Sequence, residues 1–267
     1  MHLIRSLFVS FVLFFASQAN AANILLLDAD GYFLTEIIAS LEADGHTVTV
    51  GGAYYNYDGT NPPLAGFDSV LFRVGYNYGY DMATAGEQAI VDFVSNGGTL
   101  VVTHWFLYSN LDPLIAAILP VSGAGYEYDG TITVTDSGSP LTAGVPSSWT
   151  QGFGIVDTYN GFTTGTLKPS ATSVANIARV ETGPMLSYIP YGNGMVLYFG
   201  SDLGGYYGEE YEPNEPNPNS LQLLSNAVGF TGAPPAPATP IPTISAWGLG
   251  ILAGLLGLMG FIRRRKM

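Results

Sequence analysis

Four polar side chains close four apolar runs in this sequence. Asp28 ends NILLLDAD (23–30), Arg73 ends FDSVLFRVG (67–75), His104 ends TLVVTHW (99–105) and Asp202 ends GMVLYFGSD (194–202). A histidine set between carboxylates can act as a general base, and an arginine among them supplies their counter-charge. That grouping suits a hydrolase-like reaction run by His104 with Asp28 or Asp202. A ligand pocket fits the same grouping, and the plainest reading is an Arg73–Asp pair that stiffens a sheet edge. A second set is rich in oxygen donors. GEEYEPNEPNPN (208–219) offers Glu209, Glu210, Glu212 and Glu215 with three asparagines and no nitrogen ligand, a composition that suits Ca²⁺. A solvated acidic loop explains the same residues. DADG (28–31) begins like an EF-hand loop, but the later ligands of that loop are missing. The third set is aromatic: Tyr54, Tyr55 and Tyr57, then Tyr76, Tyr78 and Tyr80, then Tyr206, Tyr207 and Tyr211. Flat rings offer contact area at low entropy cost, so Arg73, Tyr76, Tyr78 and Tyr206 are candidates for binding a glycan or a partner protein. Packing of the loops by their own tyrosines is the plainer reading.

These residues need a frame. NILLLDAD is a continuous apolar run and predicts a buried strand. FLTEIIASLEADGH spaces Leu34, Ile37, Ile38 and Leu41 as a helix, with Gly45 as its stop. HTVTVGG, FDSVLFRVG and TLVVTHW predict further strands. ATAGEQAIVDFVSNGG predicts a helix, and LDPLIAAILP a short one with Pro113 in its first turn. Alternating strands and helices with short glycine turns predict a parallel sheet covered by helices on both faces. In such a sheet, ligands bind beyond the carboxyl ends of the strands, where the four polar residues and the tyrosine loops fall. From about residue 121 to 165 the pattern turns to strands and predicts a β-rich insertion. GYEYDGTITVTD, ANIARVE, PMLSYIPYG and GMVLYFGSD read as strands. SLQLLSNAVGF reads as a closing helix with Ser220 as its N-cap. TGAPPAPATPIP then reads as a Pro-rich linker, with residues 231–240 separating the body from the tail.

Charge narrows the partners. Within 22–240 only Arg73, Lys168 and Arg179 are basic, against 21 acidic residues. Such a surface repels phosphate backbones, which excludes nucleic acid as an expected partner. The absence of cysteine removes thiolate nucleophiles, disulfides and zinc–thiolate sites. No cofactor is expected, Ca²⁺ being the single candidate ion.

Residues 22–230 resemble the class I glutamine amidotransferase-like superfamily, a three-layer flavodoxin-like fold. The similarity lies in the order of NILLLDAD, FDSVLF, IVDFVSNGGTLVVTHW, DSGSPLTAGVPSSW and GNGMVLYFGSD. Catalytic members of that superfamily carry a cysteine on the turn after the strand matching TLVVTH, where this chain has His104-Trp105. They carry a histidine and an acid after the strand matching MVLYFG, where this chain has Ser201-Asp202. The resemblance therefore implies the fold without amidotransferase chemistry.

The two chain ends carry addresses. Residues 1–21 combine His2 and Arg5, an apolar run from Leu7 to Ala16, and Ala19-Asn20-Ala21. This is the pattern of a secretory signal cleaved after Ala21. At the other end, residues 244–262 are uncharged and predict a transmembrane helix, and Arg263, Arg264, Arg265 and Lys266 would hold its end in the cytoplasm. In front of the span, Ile241, Pro242, Thr243, Trp247 and Gly248 resemble the IPTL-type C-terminal sorting signal of Gram-negative bacteria, with Ile244 in place of its leucine. That resemblance implies recognition of 241–267 by an exosortase-type membrane peptidase. It implies a precursor anchored in the inner membrane and a mature body at the cell surface or outside the cell. The sequence as a whole thus predicts an exported, surface-sorted, non-catalytic binding protein.

Overall fold

The structure, a computed structural model, describes residues 20–231 apart from 30, 32, 110–111, 128–129, 152–161, 179–181, 202 and 204–215. The chain divides into two compact units, Met1–Gly232 and Ala233–Met267, and the described residues lie in the first. The expected signal, linker, sorting motif, basic tail and span 244–262 lie outside them, as do Asp202, Tyr206, Glu209, Glu210 and Glu212. Among the described residues no helix is long and apolar enough to cross a membrane.

The first half alternates as its sequence predicts. Strand β1 (Asn23–Asp28) leads to helix α1 (Leu34–Ala43), then β2 (Thr47–Gly52), β3 (Ser69–Arg73), α2 (Thr84–Ser95) and β4 (Thr99–Thr103). Two short helices follow, α3 (Phe106–Ser109) and α4 (Pro113–Ile118). The later strands are β5 (Val121–Glu127), β6 (Gly130–Val134), β7 (Ser148–Gln151), β8 (Phe162–Leu167), β9 (Thr172–Ala178), β10 (Thr182–Tyr191) and β11 (Gly194–Phe199). Helix α5 (Pro218–Val228) closes the body.

Nine strands form one sheet in the order β2-β1-β3-β4-β11-β10-β9-β6-β7. The pairs from β2 to β11 are parallel, and those from β11 to β7 are antiparallel. The sheet is therefore mixed, which corrects the expectation of a purely parallel one. The β-rich segment is also not one separate insertion. Its β6 and β7 extend the main sheet, while β5 and β8 pair as a two-stranded sheet of their own. The physical reason lies in the connections. β10 and β11 are joined by the two-residue turn Gly192-Asn193, which permits only an antiparallel pair.

Side chains alternate across the strands and build two cores. Ile24, Leu26, Leu71, Val101, Leu197 and Phe199 face one side, where Ile37 and Leu41 of α1 and Leu223, Leu224 and Ala227 of α5 cover them. Leu25, Leu27, Val70, Phe72, Leu100 and Val102 face the other, under Ile90 and Val94 of α2 and Ile115 of α4. Helix–sheet–helix layering is the consequence, and fully burying each such side chain contributes about 1.5–3 kcal/mol. Helix α5 starts one turn earlier than its sequence suggests. Asn217, not Ser220, is the N-cap, and its side chain accepts a bond from the Asn219 N–H at 3.0 Å. Ser220 lies buried inside the helix.

Candidate functional site

The parallel strands β2, β1, β3, β4 and β11 end on one edge, so their C-terminal residues are neighbours whatever their distance in sequence. Asp28 and Arg73 sit opposite each other in the β1–β3 register. The Arg73 Nη1 donates to both Asp28 carboxylate oxygens at 3.2 Å. Both side chains are buried. Asp28 Oδ2 also accepts the Gly31 N–H at 3.2 Å, which ties the following loop to the strand. In this strand order the crevice between β1 and β3 is the point where connections leave in opposite directions, the usual ligand position in such sheets. Here the ion pair fills it.

His104 follows β4. It is 0% exposed, and its main-chain N–H donates to the Phe199 carbonyl at 2.9 Å. Burial pushes its imidazole down to about 3, against a smaller upward pull from its hydrogen bond with the Gly200 backbone. The ring is thus neutral at physiological pH and closed to solvent. The residue after it, Trp105, adopts φ 66, the left-handed region that costs an L-residue about 1–2 kcal/mol. It occupies the strand–turn–helix position between β4 and α3. Phe33 after β1 and Leu203 after β11 adopt φ 53 and 69. Three strained non-glycine residues therefore gather on the same edge, where strain of this kind marks functional sites.

Aromatic rings build the outer surface of this edge. Tyr78 stacks on Trp105 at 5.0 Å and 14° between planes. Tyr55 and Tyr80 lie 4.8 Å apart at 34°, and Tyr80 is 57% exposed. Beneath them, Tyr54 and Tyr57 are buried and pack the loops, the plainer of the two readings of the tyrosine groups. The Tyr54 hydroxyl lies 2.7 Å from the Asn77 carbonyl and 2.6 Å from that of Tyr80, so it clamps the 75–80 loop onto the 53–57 loop. Desolvation pushes its pKa well above the usual tyrosine value, and that of Tyr57 up to about 12. The Asn77 amide donates to the Ala29 carbonyl and adds a third loop to the assembly. Gly86 of α2 makes the fit possible, because a Cβ there would collide with the Tyr57 carbonyl oxygen. Of Tyr76 only the backbone is described.

The structure thus joins Asp28, Arg73, His104, Trp105 and the first two tyrosine groups on one edge. Sequence reading missed the Tyr78–Trp105 stack, although Trp105 stood in the TLVVTHW run. Among the described residues no group of three or more His, Asp or Glu side chains is placed to hold a metal ion. The acidic loop considered for Ca²⁺ lies outside them.

Comparison with known proteins defines the class on both counts. The body shares its fold with a cytoplasmic protein from Salmonella typhimurium, STM3548 (TM-score 0.56, 16% identity, 78% of this chain and 98% of that one). It is similar to a putative ThuA-like protein from Parabacteroides merdae ATCC 43184 (0.55, 14%, 85% and 96%). It is also similar to the β-galactosidase from Rahnella sp. R3 (0.53, 17%, 84% and 33%). The body therefore shares its fold with these proteins, a ThuA-like one among them, and the sequence has no cysteine. At these identities the likeness is one of fold. No curated protein matches the sequence. The IPTL-CTERM motif matches residues 239–266, and it implies export and sorting to the cell surface by an exosortase-type system.

Proposed function

We propose that this is a surface-sorted binding protein that contacts a glycan through the aromatic edge of its sheet. The observation that carries the reading is the Tyr55–Tyr80 pair, a tilted aromatic platform with Tyr80 open to solvent and its loop held by the Tyr54 hydroxyl. The apolar face of a pyranose ring packs well on such a surface, and a platform fixed before binding loses little entropy when occupied. The burial of His104 argues against the alternative of a hydrolase-like enzyme using His104 with Asp28 or Asp202, since a base with no solvent access cannot meet a dissolved substrate.

Residues 1–21 would export the chain. Residues 244–262 would then hold it in the inner membrane until an exosortase-type peptidase cuts near Ile241, Pro242 and Thr243. Replacing Tyr80 with Ala is expected to weaken glycan binding about tenfold, the equivalent of losing roughly 1.4 kcal/mol of contact. Its melting temperature should stay close to wild type, because the ring is largely exposed. A glycan array followed by titration of the best hit would check both. Binding that survives Tyr80→Ala and Tyr55→Ala together would remove this edge as the site, and binding only to protein partners would remove the glycan.

A further inference from the structure

The outer strand of the parallel half is β2. One long edge of it pairs with β1, and no described residue hydrogen-bonds the other. Such edges are templates for another strand, and soluble proteins usually blunt them with Lys, Pro or an inward charge. β2 reads Thr47-Val48-Thr49-Val50-Gly51-Gly52 and contains no Lys, Pro or charge; its pairing with β1 shifts register after Val50, which leaves Thr47–Val50 as the regular stretch. Val50 is 49% exposed, and Thr47 and Thr49 are exposed as well. The strand itself carries no charge in a body dominated by acidic residues.

We propose that β2 is a self-association edge on which a second copy of this chain pairs its own β2 antiparallel. A two-fold contact must be complementary to itself, and this strand satisfies that condition in one register. Centred on Thr49, it sets Thr49 opposite Thr49 of the second copy and Val48 opposite Val50 in both directions. Facing β-branched pairs and threonine pairs are favourable cross-strand neighbours. Val48 already packs on the core beneath α1 and α5, so the valine pair would continue that apolar face across the contact. The exposed acids Glu36, Glu42 and Asp44 of α1 and its C-cap lie near the edge and oppose the approach, so added salt should strengthen it. The occupant is a second copy rather than an unrelated strand, because the register pairs like residues without leaving a charge opposed. Crowding of copies in one membrane or surface layer would raise the effective concentration that a small contact needs.

The absence of cysteine gives a direct test. Directly opposed residues in an antiparallel pair lie within the reach of a disulfide. A Thr49→Cys variant of the full chain in detergent should form disulfide dimers under mild oxidation about tenfold or more faster than Ser137→Cys on an exposed turn. Val50→Lys should lower the dimer fraction of the otherwise wild-type chain in light scattering, and 0.5 M NaCl should raise it. Equal cross-linking rates for the two cysteine variants would overturn the proposal. So would a dimer fraction unchanged by Val50→Lys, or a wild-type chain monomeric at every concentration.

Discussion

Replacement of Arg73 by Met is expected to cost about 3–5 kcal/mol. The guanidinium is 1% exposed and bonds both oxygens of a carboxylate that is 2% exposed. Removing it leaves the buried Asp28 carboxyl without its guanidinium partner. For a body of this size each kcal/mol moves the melting temperature by roughly 2–4 °C, so the drop should be readily seen by circular dichroism. Joint replacement, Asp28→Leu with Arg73→Met, should recover most of the loss, because a buried ion pair exchanged for well-packed apolar groups is often neutral. A single Arg73→Met variant that melts with the wild type would show that the pair does not hold β1 to β3.

The second large effect is a pH dependence set by His104. Its folded pKa of about 3 lies below the ordinary histidine value because burial disfavours the charged ring. A lowered histidine contributes stability that is fully present above about pH 6.5 and is lost as pH falls towards the folded value. The full effect is on the order of 5 kcal/mol. His46, also lowered by burial, has the same sign. Asp112 has the opposite sign. It is buried between α2 and α4, accepts the Met82 N–H at 2.7 Å, and is pushed up to about 6 chiefly by desolvation. Its contribution is present below about pH 4 and lost as pH rises through 6. The two slopes therefore oppose each other between pH 4 and 6. His104→Asn should lose less stability than the wild type on acidification across that window, and Asp112→Asn should lose more, when urea midpoints are measured at each pH. Parallel profiles for the wild type and His104→Asn would mean that His104 takes up a proton in the folded state.

The parallel half of the fold was legible because its code is local. Runs such as NILLLD and SVLF declare buried strands, and the helices between them can only cross over in one hand. The sequence placed Asp28, Arg73 and His104 on one edge for the same reason. Strand direction in the second half was harder to read, since apolar periodicity is the same for a parallel and an antiparallel neighbour. Helix α3, four residues long, gives no period at all. Depth was the other blind spot. The tyrosine groups offered both a packing and a contact reading, and only the structure shows that Tyr54 and Tyr57 are buried, with carbonyls of Asn77, Tyr80 and Pro62 beside their hydroxyls. The position of His104 left structural, binding and catalytic roles open, and its full enclosure depends on long-range contacts such as its N–H to the Phe199 carbonyl.

Sorting to the surface is the premise on which the binding role rests, and it has one direct measurement: the intact mass of the protein extracted from the cell surface. The mature wild type should end near the Ile241-Pro242-Thr243 segment and lack Arg263 to Met267. The Pro242→Ala and Trp247→Ala precursors should stay at full length in the membrane fraction, because the peptidase would lose an extended, interface-placed motif. A surface-extracted wild-type chain that runs unbroken through Met267 would contradict the account, and the tail would then be an anchor and nothing more.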